Sequence, residues 1–278
     1  MPALLWVLLG VLLALVLLAA LALLFVAPSR PSAALLAPFA RRCFAHRGLH
    51  TPDKSVPENS LSAFRRAVEA GYGIELDIQL SRDAEVVVFH DDTLDRVCGV
   101  TGRVDAFDLA ALRQMRLCGT GEGIPLFSEV LAAVDGRAPL IVELKSGPRN
   151  RLLCEKALAL LRGYQGDFCI ESFDPRIVRW FRKNAPDLLR GQLSGPPHTF
   201  DTLPAVGGFV LGNLLSDLIC RPQFVAYDNK PKPFLVRLAC RMGAARVVWT
   251  AREEADHQRL CGENDAIIFE FYRPDPRF

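Results

Sequence analysis

Residues 3–27, ALLWVLLGVLLALVLLAALALLFVA, form an unbroken run of twenty-five apolar residues without a single charge. A helix needs about 20 such residues to cross the hydrocarbon core of a bilayer. A core helix of a soluble domain normally keeps a polar face toward water, and this run has none. The run is therefore read as a membrane-spanning helix. A cleaved signal peptide is the alternative. Against it, no Lys or Arg precedes the run, and the run exceeds the roughly 7–15 apolar residues of a signal. The first cations, Arg30, Arg41 and Arg42, follow it. By the positive-inside rule they put the remainder of a single-pass chain in the cytoplasm.

Three parts follow from this reading: a transmembrane helix over residues 1–28, a linker over 29–42 and a single domain over 43–278. The linker, SRPSAALLAPFARR, holds with its flanking Pro28 three prolines. Beyond it, short apolar strands alternate with polar turns and amphipathic helices. NSLSAFRRAVEAG spaces Leu61, Phe64 and Val68 as one helix face, with Asn59 or Ser60 to cap its start and Gly71 its end. IELDIQL, EVVVFH, APLIVEL, DFCIESF, LLRGQL, FVAYD, RVVWT and AIIFE read as strands. Between them DPRIVRWFRKNAP, PFLVRLACRMG and REEADHQRLCG read as helices. Eight or nine strands in such alternation predict an α/β chain, a (β/α)8 TIM barrel preceded by one N-terminal transmembrane helix. Residues 207–224, GGFVLGNLLSDLICRPQF, depart from the repeat. They read either as a core helix or as an apolar patch that lies on a bilayer or covers the site.

Composition narrows the function. A net charge of +2 and the lack of a basic tract with interleaved aromatics give no sign of nucleic-acid binding. The eight cysteines are even in number, yet no two lie closer than fifteen residues, so no C-x-x-C pair exists. Cys43, Cys154, Cys169, Cys220 and Cys240 sit in apolar runs, where a free thiol behaves as a small hydrophobe. Reduced thiols fit a cytoplasmic domain.

The polar residues that interrupt the strands carry the chemistry. Glu75 and Asp77 are two apart in IELDIQL, hence on one strand face. Glu143 and Lys145 repeat the pattern in IVELK. His46 and Arg47 end one strand, and His90 ends another. In a parallel barrel the C-terminal strand ends converge at one mouth, where active sites are built. Three carboxylates suit one hard divalent cation, Mg2+ or Ca2+. Arg47 and Lys145 suit a phosphate, and two histidines suit a general base and a general acid. The set reads as metal-assisted cleavage of a phosphodiester.

The ordered series AHRG, PENSLSAF, ELDIQLSRD, VVFHDDTLDRVCG, TGRV, IPLFSEVL, IVELK, ESFDP and VVWTA resembles the glycerophosphodiester phosphodiesterase family, from about Cys43 to Glu270. The resemblance implies a (β/α)8 barrel that hydrolyses glycerophosphodiesters to sn-glycerol 3-phosphate and an alcohol. It implies His46 and His90 as the acid/base pair and Glu75, Asp77 and Glu143 as metal ligands. Arg47 and Lys145 match phosphate-contacting positions, and Glu58 and Asn59 match the family's PEN segment at the mouth. Trp249, with Phe173, matches an aromatic wall of the substrate pocket. A lysophospholipid or another phospholipid is the alternative substrate, a barrel that binds phosphate head groups without catalysis is a further alternative, and residues 3–27 make a lipid bilayer the expected partner. The ending DAIIFEFYRP departs from the family's DGIITD-like pattern, so no role is carried over to Phe269 or Glu270. His50 is expected at the surface.

Overall fold

The computed structural model describes residues 2–278. Nine strands are present: β1 Arg42–Ala45, β2 Gly73–Leu80, β3 Val86–Val88, β4 Leu140–Leu144, β5 Phe168–Ser172, β6 Arg190–Ser194, β7 Phe224–Asp228, β8 Ala245–Ala251 and β9 Ala266–Phe269. Eight of them, all except β3, pair in parallel in the order β1-β2-β4-β5-β6-β7-β8-β9. The ring closes because β1 pairs with both β2 and β9. Strands buried on both faces read as near-continuous apolar runs, which is why LIVEL and FCIES lack the clean alternation of a half-exposed strand.

The expected barrel is present, with one difference. EVVVFH is not a barrel strand. Its core, β3, runs antiparallel to the upper half of β2, with Leu80 opposite Val86 and Ile78 opposite Val88. β2 rises past the rim of the barrel and β3 brings the chain back down. His90 thus reaches the mouth on a returning hairpin and not at the end of a parallel strand. Gln79 holds the return, its Nε2 donating to the carbonyls of Phe89 (2.8 Å) and Asp91 (2.9 Å).

Two cores flank the barrel wall. Inside, Phe44, Ile141, Cys169, Phe224, Val247 and Ile268 form an apolar floor. Outside, Ile74, Leu76, Val142 and Ile170 meet Phe64, Phe127 and Phe181 of the surrounding helices. Strand period two then dictates the layer above the floor. Two residues on from Phe44, Ile141, Cys169, Val247 and Ile268 come His46, Glu143, Glu171, Trp249 and Glu270. Gly73 serves this packing. A Cβ there would lie 2.4 Å from Cδ1 of Phe44, so only glycine lets that ring fill the floor.

The stretch over residues 29–42 does more than link. Ser32 caps a helical turn, Ala33–Leu36, by accepting from the Leu35 N–H (3.2 Å). Phe39 then stacks on Phe44 (6.2 Å between ring centres) and closes the lower end of the barrel. The N-terminal helix, Pro2–Val26, meets the protein only at its last turns and is otherwise exposed. Val26 is fully buried against Leu214, Val225, Tyr227, Val236 and Ala239. Arg221 donates to the carbonyls of Leu24 (2.7 Å) and Ala27 (2.8 Å), satisfying acceptors that a helix end leaves open. The helix between β6 and β7 next to this junction, Asp217–Cys220, is only four residues long. The end of the N-terminal helix fills the wall beside it.

Substituting Gly73→Ala should overpack the floor and lower stability by about 1–3 kcal/mol. Thermal unfolding of the purified full-length chain measures this. Adding Phe44→Leu should restore part of the loss. A Gly73→Ala melting temperature equal to that of the parent chain would contradict the packing described.

Candidate active site

β1 stops at His46 because the backbone changes hand there. The His46 N–H still bonds to the carbonyl of Phe269 in β9 (3.0 Å), but Arg47 sits at φ 53° and Gly48 at φ 79°. A Cβ on Gly48 would lie 2.9 Å from that of Ala63, so the turn needs glycine for space as well as conformation. The left-handed turn points the Arg47 N–H at Oε2 of Glu75 (2.9 Å). Its guanidinium goes to Oε1 of Glu58 (2.6 Å) and lies 3.7 Å from Oδ2 of Asp77. Asn59, also left-handed at φ 54°, donates its backbone N–H to Arg47 O (2.9 Å) and its amide to Oδ2 of Asp77 (2.8 Å). Ser60 then accepts from the Ala63 N–H (3.1 Å) and starts the Leu61–Glu69 helix.

Glu75 and Asp77 of β2 and Glu143 of β4 are buried and each offers an oxygen within 4.8 Å of the other two. Lys145 reaches Glu143 (2.8 Å) and Asp77 (3.5 Å). Burial, with the charges of Asp77 and Glu143 added, pushes the Glu75 carboxyl well above the usual range. Burial likewise raises Glu143, against the pull of Lys145. Asp77 is equally buried, yet His90, Lys145, Arg47 and Asn59 together hold its carboxyl low. Three buried carboxylates, two of them resisting ionisation, are a donor set short of positive charge. All-oxygen ligands in that state fit a hard divalent cation.

The histidines flank this cluster. His46 Nε2 lies 3.9 Å from Glu75, and burial drives the ring down to about 4, against the opposing charge of Glu270. It is therefore neutral at pH 7 and able to accept a proton. His90 is partly exposed, and its Nδ1 lies 2.6 Å from Oδ1 of Asp91. Arg96 pairs with both Asp91 (2.6 Å) and Glu58 (2.7 Å). Glu58 is occupied by Arg47 and Arg96. Burial opposes its charge, but the two arginines bring it to about 2. Its carboxylate thus orients arginines, and nothing leaves it free to face a phosphate. Phe173 and Trp249 meet edge to face (5.6 Å), and Trp249 Nε1 donates to Ser194 O (3.1 Å).

Three residues were missed in the sequence. Glu171 lies opposite Glu143 across β4 and β5, fully buried, and its Oε2 has no hydrogen-bond partner among the described residues. Burial and the charge of Glu143 raise its carboxyl well above the usual range. Glu270 follows β9 and lies 3.6 Å from His46 Nδ1 and 3.2 Å from His50 Nε2, while Arg252 donates to it (2.9 Å). His50 is accordingly no surface residue. Its side chain is 8% exposed and packs on Phe271 (5.2 Å). The signal for both glutamates was their strand parity, two beyond an inward Cys169 and two beyond an inward Ile268.

Residues 46–272 match the profile of the glycerophosphoryl diester phosphodiesterase family. The glycerophosphodiester phosphodiesterase of Caldanaerobacter subterraneus subsp. tengcongensis is 37% identical over 161 residues, 54% of this chain and 65% of that one. The chain thus spans just under two thirds of that relative's length. An Oleispira antarctica phosphodiesterase, solved in complex with the product sn-glycerol-3-phosphate, superposes with a TM-score of 0.69 at 22% identity. The match covers 84% of this chain and 94% of that one. The glycerophosphodiester phosphodiesterase of Thermotoga maritima gives 0.63 at 22%, over 82% and 94%. At such identity the likeness to the solved structures is one of fold.

The raised carboxyls of Glu75 and Glu143 make a prediction about cation binding. A raised value means that protons stay bound where ordinary carboxylates have lost them, so an entering cation must displace them. Calorimetric titration of Mg2+ or Ca2+ into the full-length chain, in buffers of differing ionisation enthalpy, should show net proton release. Affinity should tighten as pH rises, and Glu143→Gln should weaken binding at least about tenfold. Binding that is indifferent to pH would contradict this electrostatic account.

Proposed function

Because the chain belongs to the glycerophosphoryl diester phosphodiesterase family, we propose that it is a metal-dependent hydrolase of glycerophosphodiesters. It would yield sn-glycerol 3-phosphate and an alcohol. The observation that carries this reading is the buried triad Glu75, Asp77 and Glu143, ringed by Arg47, Lys145, His46 and His90.

Glu75, Asp77 and Glu143 hold one divalent cation, which when bound supplies Lewis-acid stabilisation of charge on the phosphate oxygens. The remaining work falls to the chain's own residues. Lys145 and Arg47 present fixed positive charge beside Asp77, where a phosphate would sit. Glu58 and Asn59 position Arg47 and Asp77. Phe173 and Trp249 wall the pocket on the side of the alcohol or glycerol. His46 and His90 divide the proton transfers. One takes the proton of the attacking hydroxyl as the new P–O bond forms, and the other gives a proton to the alcohol oxygen as its bond to phosphorus breaks. The nucleophile is water or the neighbouring glycerol hydroxyl, which would give a cyclic phosphate first. The burial of Val26 and the Arg221 clamp support reading the N-terminal helix as a retained membrane anchor and not a cleaved leader. Arg30, Arg41 and Arg42 support a cytoplasmic domain.

Release of sn-glycerol 3-phosphate from glycerophosphocholine, with Mg2+, Ca2+ or chelator, tests the proposal. His46→Ala and His90→Ala should each lose about 10²–10⁴-fold in turnover, with melting temperatures close to that of the parent chain. Near-normal hydrolysis by either variant would sink the assignment. Turnover undiminished by chelator would sink the metal.

A further inference from the structure

The helix Ala205–Gly212, AVGGFVLG, is built inside out for a protein surface in water. Its inward face is glycine. Gly208 and Gly212 are buried, and a Cβ on them would lie 2.7 Å from Pro197 O and 3.0 Å from Gly195 O. Its outward face is large and apolar, with Val206 75% and Phe209 54% exposed. A surface helix in water does the reverse, burying its large apolar side chains and turning polar ones out. Residues 202–216 contain no charge at all.

Apart from the N-terminal helix, six large hydrophobic residues are exposed among the described residues: Leu203, Val206, Phe209, Ile219, Phe234 and Phe271. All but Phe271 lie between β6 and the Phe234–Arg241 helix that follows β7. The patch is therefore one sector of the barrel and not scattered exposure. The apolar N-terminal helix leaves from this same sector. Val26 packs on Leu214, immediately beyond the 205–212 helix, and Arg221 clamps the helix end. Of the six cations among the neighbouring residues 229–252, Arg246 and Arg252 pair with Asp265 and Glu270, while Lys230, Lys232, Arg237 and Arg241 form no ion pair among the described residues. Apolar side chains beside basic ones match the surface of an anionic bilayer. The patch also adjoins the mouth. Ser194, at the end of β6, donates to Leu211 O (2.9 Å). Phe200, in the turn leading to the patch, meets Phe173 edge to face (5.8 Å), and Phe173 in turn meets Trp249.

We propose that the 203–212 segment, with Phe234, seats in the surface of the bilayer that the N-terminal helix crosses. The apolar path from Trp249 through Phe173 and Phe200 then opens toward lipid, so that a phosphodiester with an acyl chain, a lysophospholipid, enters from the membrane. The substrate clause rests on the hydrolase activity proposed above. The docking clause rests only on the membrane-anchor reading of the N-terminal helix.

Two measurements on the full-length chain in anionic bilayers separate them. A Phe209→Trp variant, with the parent chain's fluorescence from Trp6, Trp180 and Trp249 subtracted, should be quenched by lipids brominated high on the acyl chain and shielded from iodide. Quenching by iodide and not by bromolipid would overturn docking. Shielding from both, together with a dimer in sedimentation, would mean that a second copy covers the patch and would overturn it equally. A Val206→Asp/Phe209→Asp variant should keep glycerophosphocholine turnover within twofold, which also reports an intact fold, and lose at least tenfold on vesicle-borne lysophosphatidylcholine. Equal retention on both substrates would overturn lateral entry. Val206→Ser/Phe209→Ser serves if the double aspartate fails to fold. If the parent chain hydrolyses neither substrate, the substrate clause falls with the proposed function, and the quenching result still decides docking.

Discussion

The mouth of this barrel is organised around carboxylates that have been taken out of water. Glu75, Asp77, Glu143 and Glu171 are all buried, on three adjacent strands. Burying one such group without a partner costs several kcal/mol, and like neighbours add to the cost. The surrounding architecture is the compensation. Lys145 stands two residues beyond Glu143, and Arg47 is turned inward by a left-handed backbone. A non-glycine residue holds that conformation at a cost of about 1–2 kcal/mol. Asn59 adopts the same hand to bring an amide to Asp77. Strain at Arg47 and Asn59 is thus the local consequence of charge further in. The compensation is uneven: Asp77 has most of the cations, while Glu75 has one backbone N–H.

Much of this could be read before any coordinates. Parity inside IELDIQL and IVELK puts Glu75, Asp77, Glu143 and Lys145 on inward faces, and the alternation of strands and helices gives a barrel. The remainder is hidden in the sequence for physical reasons. EVVVFH has the composition of a barrel strand, and nothing local distinguishes a strand that joins a ring from one that folds back on its neighbour. Glu171 shares the parity of Glu143, but one acid in an apolar strand resembles a chance interruption. Glu270 lies in an ending, DAIIFEFYRP, that departs from the family's DGIITD-like pattern and sets it between aromatics. Those aromatics, Phe269 and Phe271, pack to either side and leave the carboxylate between two histidines. Glu58 shows the converse. Its segment was legible, but the direction of its side chain depends on Arg96, which comes to it across thirty-eight positions of sequence.

The N-terminal helix and the barrel are likewise one problem in packing. A four-residue helix between β6 and β7 covers little of the strands beneath it. Val26 supplies apolar cover over Val225 and Tyr227, and Arg221 satisfies carbonyls that the departing helix leaves open. The same sector then spends glycine on its inward face and phenylalanine on its outward one. A short wall helix, an apolar helix end and an inverted surface helix occur together because each leaves surface that the next one covers or exposes.

The closure of the ring has a bearing on how the chain comes into being. β1 is bonded on one side to β2, which follows it closely, and on the other to β9, the last strand of the ring to be made. His46 hangs on that second seam, with its backbone held by Phe269 and its ring beside Glu270. Every other group of the carboxylate cluster and its cations lies within the first 171 residues. A ribosome therefore produces most of the charged mouth long before it produces the strand that seats His46. Until that strand arrives, buried acid has been assembled without its final wall. A nascent chain in this state exposes two unpaired strand edges and a half-built pocket, the form in which such chains are vulnerable to mispairing. Competence is conferred late, by the last strand of the ring.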